Sequence, residues 1–175
     1  MKSVGRMFVM LMLVLVPAVS AAAQSTPEAV PGEPTVFARG FGEPATYVDA
    51  RGNPVFSITV AEVERDWQDY DEYSAPERGS EYVLVQLTVT NLTARPATVS
   101  PYTIVMVDSL GMVMEMGYIY DDPEIWMDDI TLDAGETVEG AMVFQMYTDV
   151  EPMILMWQPE YGYYVFVYLG DESAP

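Results

Sequence analysis

The stretch EYVLVQLTVTN, residues 81–91, decides the fold. Val83, Val85, Leu87 and Val89 alternate with Tyr82, Leu84, Gln86, Thr88 and Thr90, and a period of two sets each group on its own face of an extended strand. Upstream, VFSITVAEVE (55–64) repeats the pattern, with Phe56, Ile58 and Val60 opposite Ser57 and Thr59. Downstream, TIVMVD (103–108) closes on the turn Asp108-Ser109-Leu110-Gly111 and leads into MVMEMGYIY. ETVEGAMVFQM (136–146), MILMW (153–157) and YYVFVYL (163–169) complete the set. These runs are β-branched and aromatic, with turn residues between them, which predicts an all-β protein of two packed antiparallel sheets with roughly seven to nine strands. One short helical turn is expected, in DDPEIWMDD (121–129), where Asp122 is a capping residue, Pro123 suits the first helical position and Glu124 suits a positive helix end.

The N-terminus reads as an export signal over residues 1–23. Lys2 and Arg6 precede the apolar run MFVMLMLVLV, and Ala21-Ala22-Ala23 offers a cleavage point before Gln24. That run is too short to span a hydrocarbon core, which takes roughly 20 residues. The expected location is therefore secreted or extracytoplasmic, without membrane insertion after cleavage near Ala23. Residues 24–45, rich in Pro and Gly at the start, read as a linker, 46–171 as the folded domain and 172–175 as a tail.

Beyond residue 23 the only basic residues are five arginines, against 27 acids, a net charge of −22. Such a surface repels nucleic acid and anionic membrane, so neither is an expected partner. The chain has no Cys and no His. Disulfides are therefore ruled out, and the core alone must hold the domain.

The series GSEYVLVQLTVTN, SPYTIVMVDSLG and ITLDAGETVEGAMVFQM resembles the telokin-like, immunoglobulin-like domain of unknown function found in bacterial secreted proteins and lipoproteins. The matching positions are Gly79, Tyr82 and Asn91, then Asp108 and Gly111, then Leu132, Gly135 and Glu136, then Gly140 and Phe144. The resemblance covers roughly residues 55–167 and implies an immunoglobulin-like β-sandwich serving as an accessory or binding domain without known catalytic residues. Family members are often lipid-anchored; this chain lacks the cysteine that an anchor needs.

Enzyme chemistry has few tools. Without His, Cys or a Lys after residue 23, Ser-His, Cys-His, Ser-Lys and Schiff-base mechanisms are out of reach, as are zinc sites built from His and Cys. A pair of glycosidase-type carboxylates is formally available, but abundant acids are also what a soluble surface carries. No catalytic residue is assigned, and no enzyme is expected.

Three constellations are candidates for binding. DWQDYDEY (66–73) gathers Asp66, Asp69, Asp71 and Glu72, oxygen ligands that would suit calcium, although the EF-hand pattern fails because Tyr73 and Ser74 fall where a ligand and a glycine belong. The same run carries Trp67, Tyr70 and Tyr73 at spacing three; with Trp126 they could form a ring-lined edge for an unidentified protein or carbohydrate. Met112, Met114 and Met116, at spacing two, would share one strand face and present thioethers to Cu(I). Each has an ordinary counterpart: a solvated acidic connection, rings capping the core, and Met as core filler. The leading expectation is a secreted, non-catalytic binding or accessory module, with a metal-binding sandwich or a structural envelope component as alternatives. Asn91-Leu92-Thr93 matches a glycosylation sequon by pattern only.

Overall fold

Each alternating run becomes a strand because its apolar side meets another sheet. The computed structural model describes residues 36–170 apart from Glu115, Tyr120, Asp121 and Pro123, with the backbone alone for 36–38. Among these residues the strands are β1 (Val36–Arg39), β2 (Ala45–Val48), β3 (Pro54–Glu64), β4 (Ser80–Asn91), β5 (Ala97–Val99), β6 (Ile104–Asp108), β7 (Val113–Met114), β8 (Ile130–Leu132), β9 (Thr137–Tyr147), β10 (Pro152–Glu160) and β11 (Tyr163–Tyr168). One sheet has the order β2-β3-β4-β9 and the other β1-β11-β10-β6-β7, while β5 and β8 form a separate ribbon. All strand pairs are antiparallel except β1, which lies parallel to β11.

Between the two sheets lies the main core. Ile58 and Val60 of β3, Val83, Val85, Leu87 and Val89 of β4, and Met142 and Phe144 of β9 pack with Met106, Leu155, Trp157, Val165 and Val167 of the other sheet. Fully burying one such side chain contributes about 1.5–3 kcal/mol, and with no cysteine available this burial holds the sandwich together. Two polar groups at its margins are paired. Trp157 Nε1 donates to Thr103 Oγ1 at 3.1 Å, and the Tyr47 hydroxyl donates to Glu160 Oε2 at 2.6 Å, joining β2 to β10 across the two sheets.

Asn91, fully buried at the end of β4, acts as a tie. Its two Nδ2 hydrogens are shared among the carbonyls of Arg95 at 2.7 Å, Leu132 at 3.1 Å and Asp133 at 3.0 Å, and its Oδ1 accepts from Thr93 N and Oγ1. It fixes the β4–β5 turn to the β8–β9 turn. An amide nitrogen enclosed in this way is no glycan acceptor, so the sequon is structural.

The architecture is the all-β sandwich expected from the alternation, with three local differences. Short pieces such as β5, β7 and β8, two or three residues each, take the strand number beyond seven to nine; alternation is not visible over so few residues. β1 lies within 24–45, the stretch read as linker, and pairs Val36–Arg39 with Tyr164–Val167. The helical turn is a 3-10 turn at Pro101–Thr103. Among the described residues of 121–129, Asp122 Oδ1 accepts from Glu124 N and Ile125 bridges to Ala141 at a sheet edge; Asp121 and Pro123, named for the helical turn, lie outside the described residues. The export signal (1–23), the linker up to residue 35 and the tail (172–175) lie outside the described residues.

Candidate functional site

DWQDYDEY folds as a cover for the outer face of the β4 sheet. Just before it, Arg65 Nε donates to Glu81 Oε1 at 2.6 Å and Nη1 pairs with Glu151 at 2.6 Å. Asp66 then takes a left-handed backbone conformation (φ 54°), which Asp tolerates better than most residues. The kink turns Trp67 inward, and its N–H donates to the Tyr82 carbonyl at 3.0 Å. Trp67 is 7% exposed and sits in a second apolar cluster with Tyr82, Leu84, Ile119, Ile125, Ala141 and Val143. Tyr70 packs edge-on to Tyr82 with ring centroids 5.3 Å apart. Tyr73 is 88% exposed and outside the cluster. The edge of presented rings at Trp67 and Tyr70 is therefore corrected to a satellite core: Leu84 and Val143 leave an apolar outer face that rings must cover. Burial, and next the nearby Tyr70, raise the pKa of Tyr82.

The four acids of the same loop do local work or face water. Asp71 Oδ1 accepts from Ser74 N at 2.8 Å and Tyr73 N at 2.9 Å; the Ser74 side chain first, and after it these backbone bonds, hold the carboxyl below the usual range. Asp66 Oδ1 accepts from Gln68 Nε2. Asp69 and Glu72 are exposed. Among the described residues no three acids converge as metal ligands would.

A second covering segment follows β7. Met116 bridges to Phe144, Gly117 N donates to Val143 O at 2.7 Å, and Trp126 N donates to Ala141 O at 2.8 Å while Ala141 N donates to Glu124 O at 2.9 Å. These bonds occupy the outer edge of β9, which would otherwise expose unpaired backbone groups. Ile125 joins the Trp67 cluster, whereas Trp126, 7% exposed, enters the main core. A Cβ at Gly140 would lie 1.9 Å from Trp126 Nε1, so the indole occupies the space a side chain there would need. The three methionines do not share one strand: Met112 is exposed, Met114 is half-buried against the main core, and Met116 lies in that core. β7 ends at Met114, and the chain has crossed to β9 by Met116. Burial of Met116 takes one of the three thioethers named for Cu(I) out of reach of solvent.

Crossing the sheet edge leaves a cleft of about 720 Å³ beside the segment. Exposed Tyr102 and Tyr118, Trp126, and Asp122, Asp128 and Asp129 line it, and among the described residues no basic side chain does. The Tyr102 hydroxyl donates to the Met127 carbonyl at 2.8 Å, which fixes that wall. A second cleft of about 580 Å³ lies on the other side of Ile125 and Trp126, above Gln86, Thr88 and Glu139. Of the four ring candidates, only Trp126 lines the first cleft. Tyr102 was missed: a lone Tyr after Pro101 gives no periodic signal, and the 3-10 turn that aims it is itself non-repeating.

Residues 52–164 match a family model described as a domain of unknown function, DUF4352, so the chain belongs to that family. No curated protein matches the chain. Among solved structures, it is similar to the secreted protein MPT63 of Mycobacterium tuberculosis, with 14% identity and a TM-score of 0.60 over 78% of this chain and 98% of that one. It is also similar to the yjhA protein of Bacillus subtilis, with 13% identity and a TM-score of 0.54 over 75% and 98% of the two chains. A third is ycdA of Bacillus subtilis subsp. subtilis str. 168, classed as a lipoprotein, with 17% identity and a TM-score of 0.53; the match covers 67% of this chain and 38% of that one. At these identities the likeness is one of fold. No helix among the described residues is long and apolar enough to cross a membrane.

Proposed function

We propose that the protein is an extracytoplasmic, non-catalytic recognition module whose cleft beside Trp126 binds a cationic side chain of a protein partner. The observation that carries this reading is the lining itself: three carboxylates and two exposed tyrosines around one concavity, with no basic residue among the described lining. A Lys or Arg head group against tyrosine faces gains about 0.5–1 kcal/mol at an exposed site, and neighbouring carboxylates add a charge-assisted bond. An anionic or nucleic-acid ligand would meet like charge. The location outside the cytoplasm is supported by the signal-like residues 1–23 and by the secreted and lipoprotein relatives of the same fold.

Calorimetric titration with an arginine-rich and a lysine-rich peptide tests the proposal, with a neutral oligosaccharide as the contrast. Binding of a basic peptide that weakens with salt and is lost in Asp128→Asn/Asp129→Asn and in Tyr118→Ala supports it. Binding of the oligosaccharide alone, or peptide binding indifferent to these substitutions, overturns it.

A further inference from the structure

The outer face of the β10 sheet is apolar from β11 through β10 and β6 to β7. Directly paired residues of neighbouring strands share a face, and the register sets Tyr168, Ile154, Val107 and Val113 in one row across β11, β10, β6 and β7. The next row holds Phe166, Met156 and Val105. A third ends the face at Tyr164, whose hydroxyl accepts from Gln158 Nε2 at 3.3 Å. Each of these side chains is at least partly exposed, while Leu155, Trp157, Met106, Val165 and Val167 fill the inward positions. No outward position named here carries a charge, in a chain with 27 acids. Beside the face, Leu110 and Met112 are exposed at the tip of the β6–β7 hairpin.

We infer that this face is a self-association surface whose occupant is the same face of a second copy. A cationic partner would be drawn to the carboxylates elsewhere on the molecule. An uncharged face is instead where two strongly acidic chains meet without burying a carboxylate, and an isologous contact needs only that the face complement itself. Sheet-on-sheet packing at ~10 Å, with strands turned by about 30°, is the geometry it offers. The four strands β11, β10, β6 and β7 at ~4.8 Å spacing and five residues at ~3.3 Å rise give roughly 300 Å² of face. This is the size of a functional surface patch, and less than the ~800 Å² per partner of a standard stable interface. The dimer is accordingly weak, and because like charges flank the contact it tightens as salt screens them.

Two measurements on the purified protein test this. In sedimentation velocity the average sedimentation coefficient should rise with concentration, and rise further in about 1 M salt, where screening acts within ~3 Å. Met156→Lys and, separately, Val113→Lys should abolish the rise while circular dichroism stays unchanged. The chain lacks cysteine, so Met156→Cys should give a single disulfide-linked dimer on mild oxidation, whereas Thr88→Cys, similarly exposed on the other sheet, should give little. A coefficient independent of concentration at both salt levels, association that salt weakens, or cross-linking at position 88 equal to that at 156 would overturn the inference.

Discussion

The two sheets of this sandwich treat their outer faces in opposite ways. On the β4 sheet, the outward positions near the start of β4 are apolar (Tyr82 and Leu84, beside Ala141 and Val143 of β9), and two excursions of the chain cover them with Trp67, Tyr70, Ile119 and Ile125. Further along, where no described residue covers the face, the outward residues become Gln86, Thr88, Thr90, Thr137 and Glu139, and Thr90 and Thr137 share a hydrogen bond of 2.9 Å. On the β10 sheet the outward residues stay apolar without any such cover among the described residues. A sheet face is thus polar, covered by its own chain, or left apolar, and the third state on an acidic protein marks an interaction surface.

The comparison breaks or sharpens under substitution. Leu84→Lys should cost more than the about 2–5 kcal/mol of a simple Leu truncation, because it also places a charge under Trp67, whereas Val107→Lys should change stability by no more than about 0.5 kcal/mol. Urea denaturation of the two variants measures the difference; equal costs would mean that the covering loops do not seal their face. Trp126→Ala should lose about 3–5 kcal/mol, because its indole fills the space above Gly140 and its backbone pairs with β9. Asn91→Ala, which strips donors from three carbonyls in a buried turn, should cost about 1–3 kcal/mol, read from the same urea midpoints.

The smallest effect concerns Tyr47. Burial, and next its hydrogen bond to Glu160, raise its pKa above the ordinary tyrosine value, and burial raises that of Tyr82 as well. With folded pKa values above the unfolded ~10, the unfolded chain releases these protons first. The associated stability is therefore fully present below about pH 10 and is lost as pH rises above it. Tyr47→Phe should lower stability by about 1 kcal/mol at neutral pH, through the lost hydrogen bond, and make the alkaline decline in melting temperature shallower. An unchanged alkaline slope would separate Tyr47 from that decline.

Much of the fold is legible because burial imposes a period. Val83 to Val89 and Phe56 to Val60 declare an inward face in their own spelling, and Gly111, at φ 79°, closes the turn after Asp108 that the letters suggest. β7 and β8 are too short to show a period, and β1 is a strand only because β11 offers it an edge. The site was less legible. Trp67, Tyr70 and Tyr73 look alike at spacing three, yet a left-handed Asp66 sends the first into a core, and Tyr73 stays in water. Tyr102 and Asp128, on the cleft wall, are brought together by two turns that no local pattern connects.

By itself the sequence determined the sandwich class, the acidic charge and the absence of thiol and imidazole chemistry, because composition and a two-residue period are local properties. The tertiary structure alone decided which apolar residues stay outside. Leu84 and Met156 both lie in apolar runs, and what separates them is a covering segment that, among the described residues, lies over one sheet and not over the other.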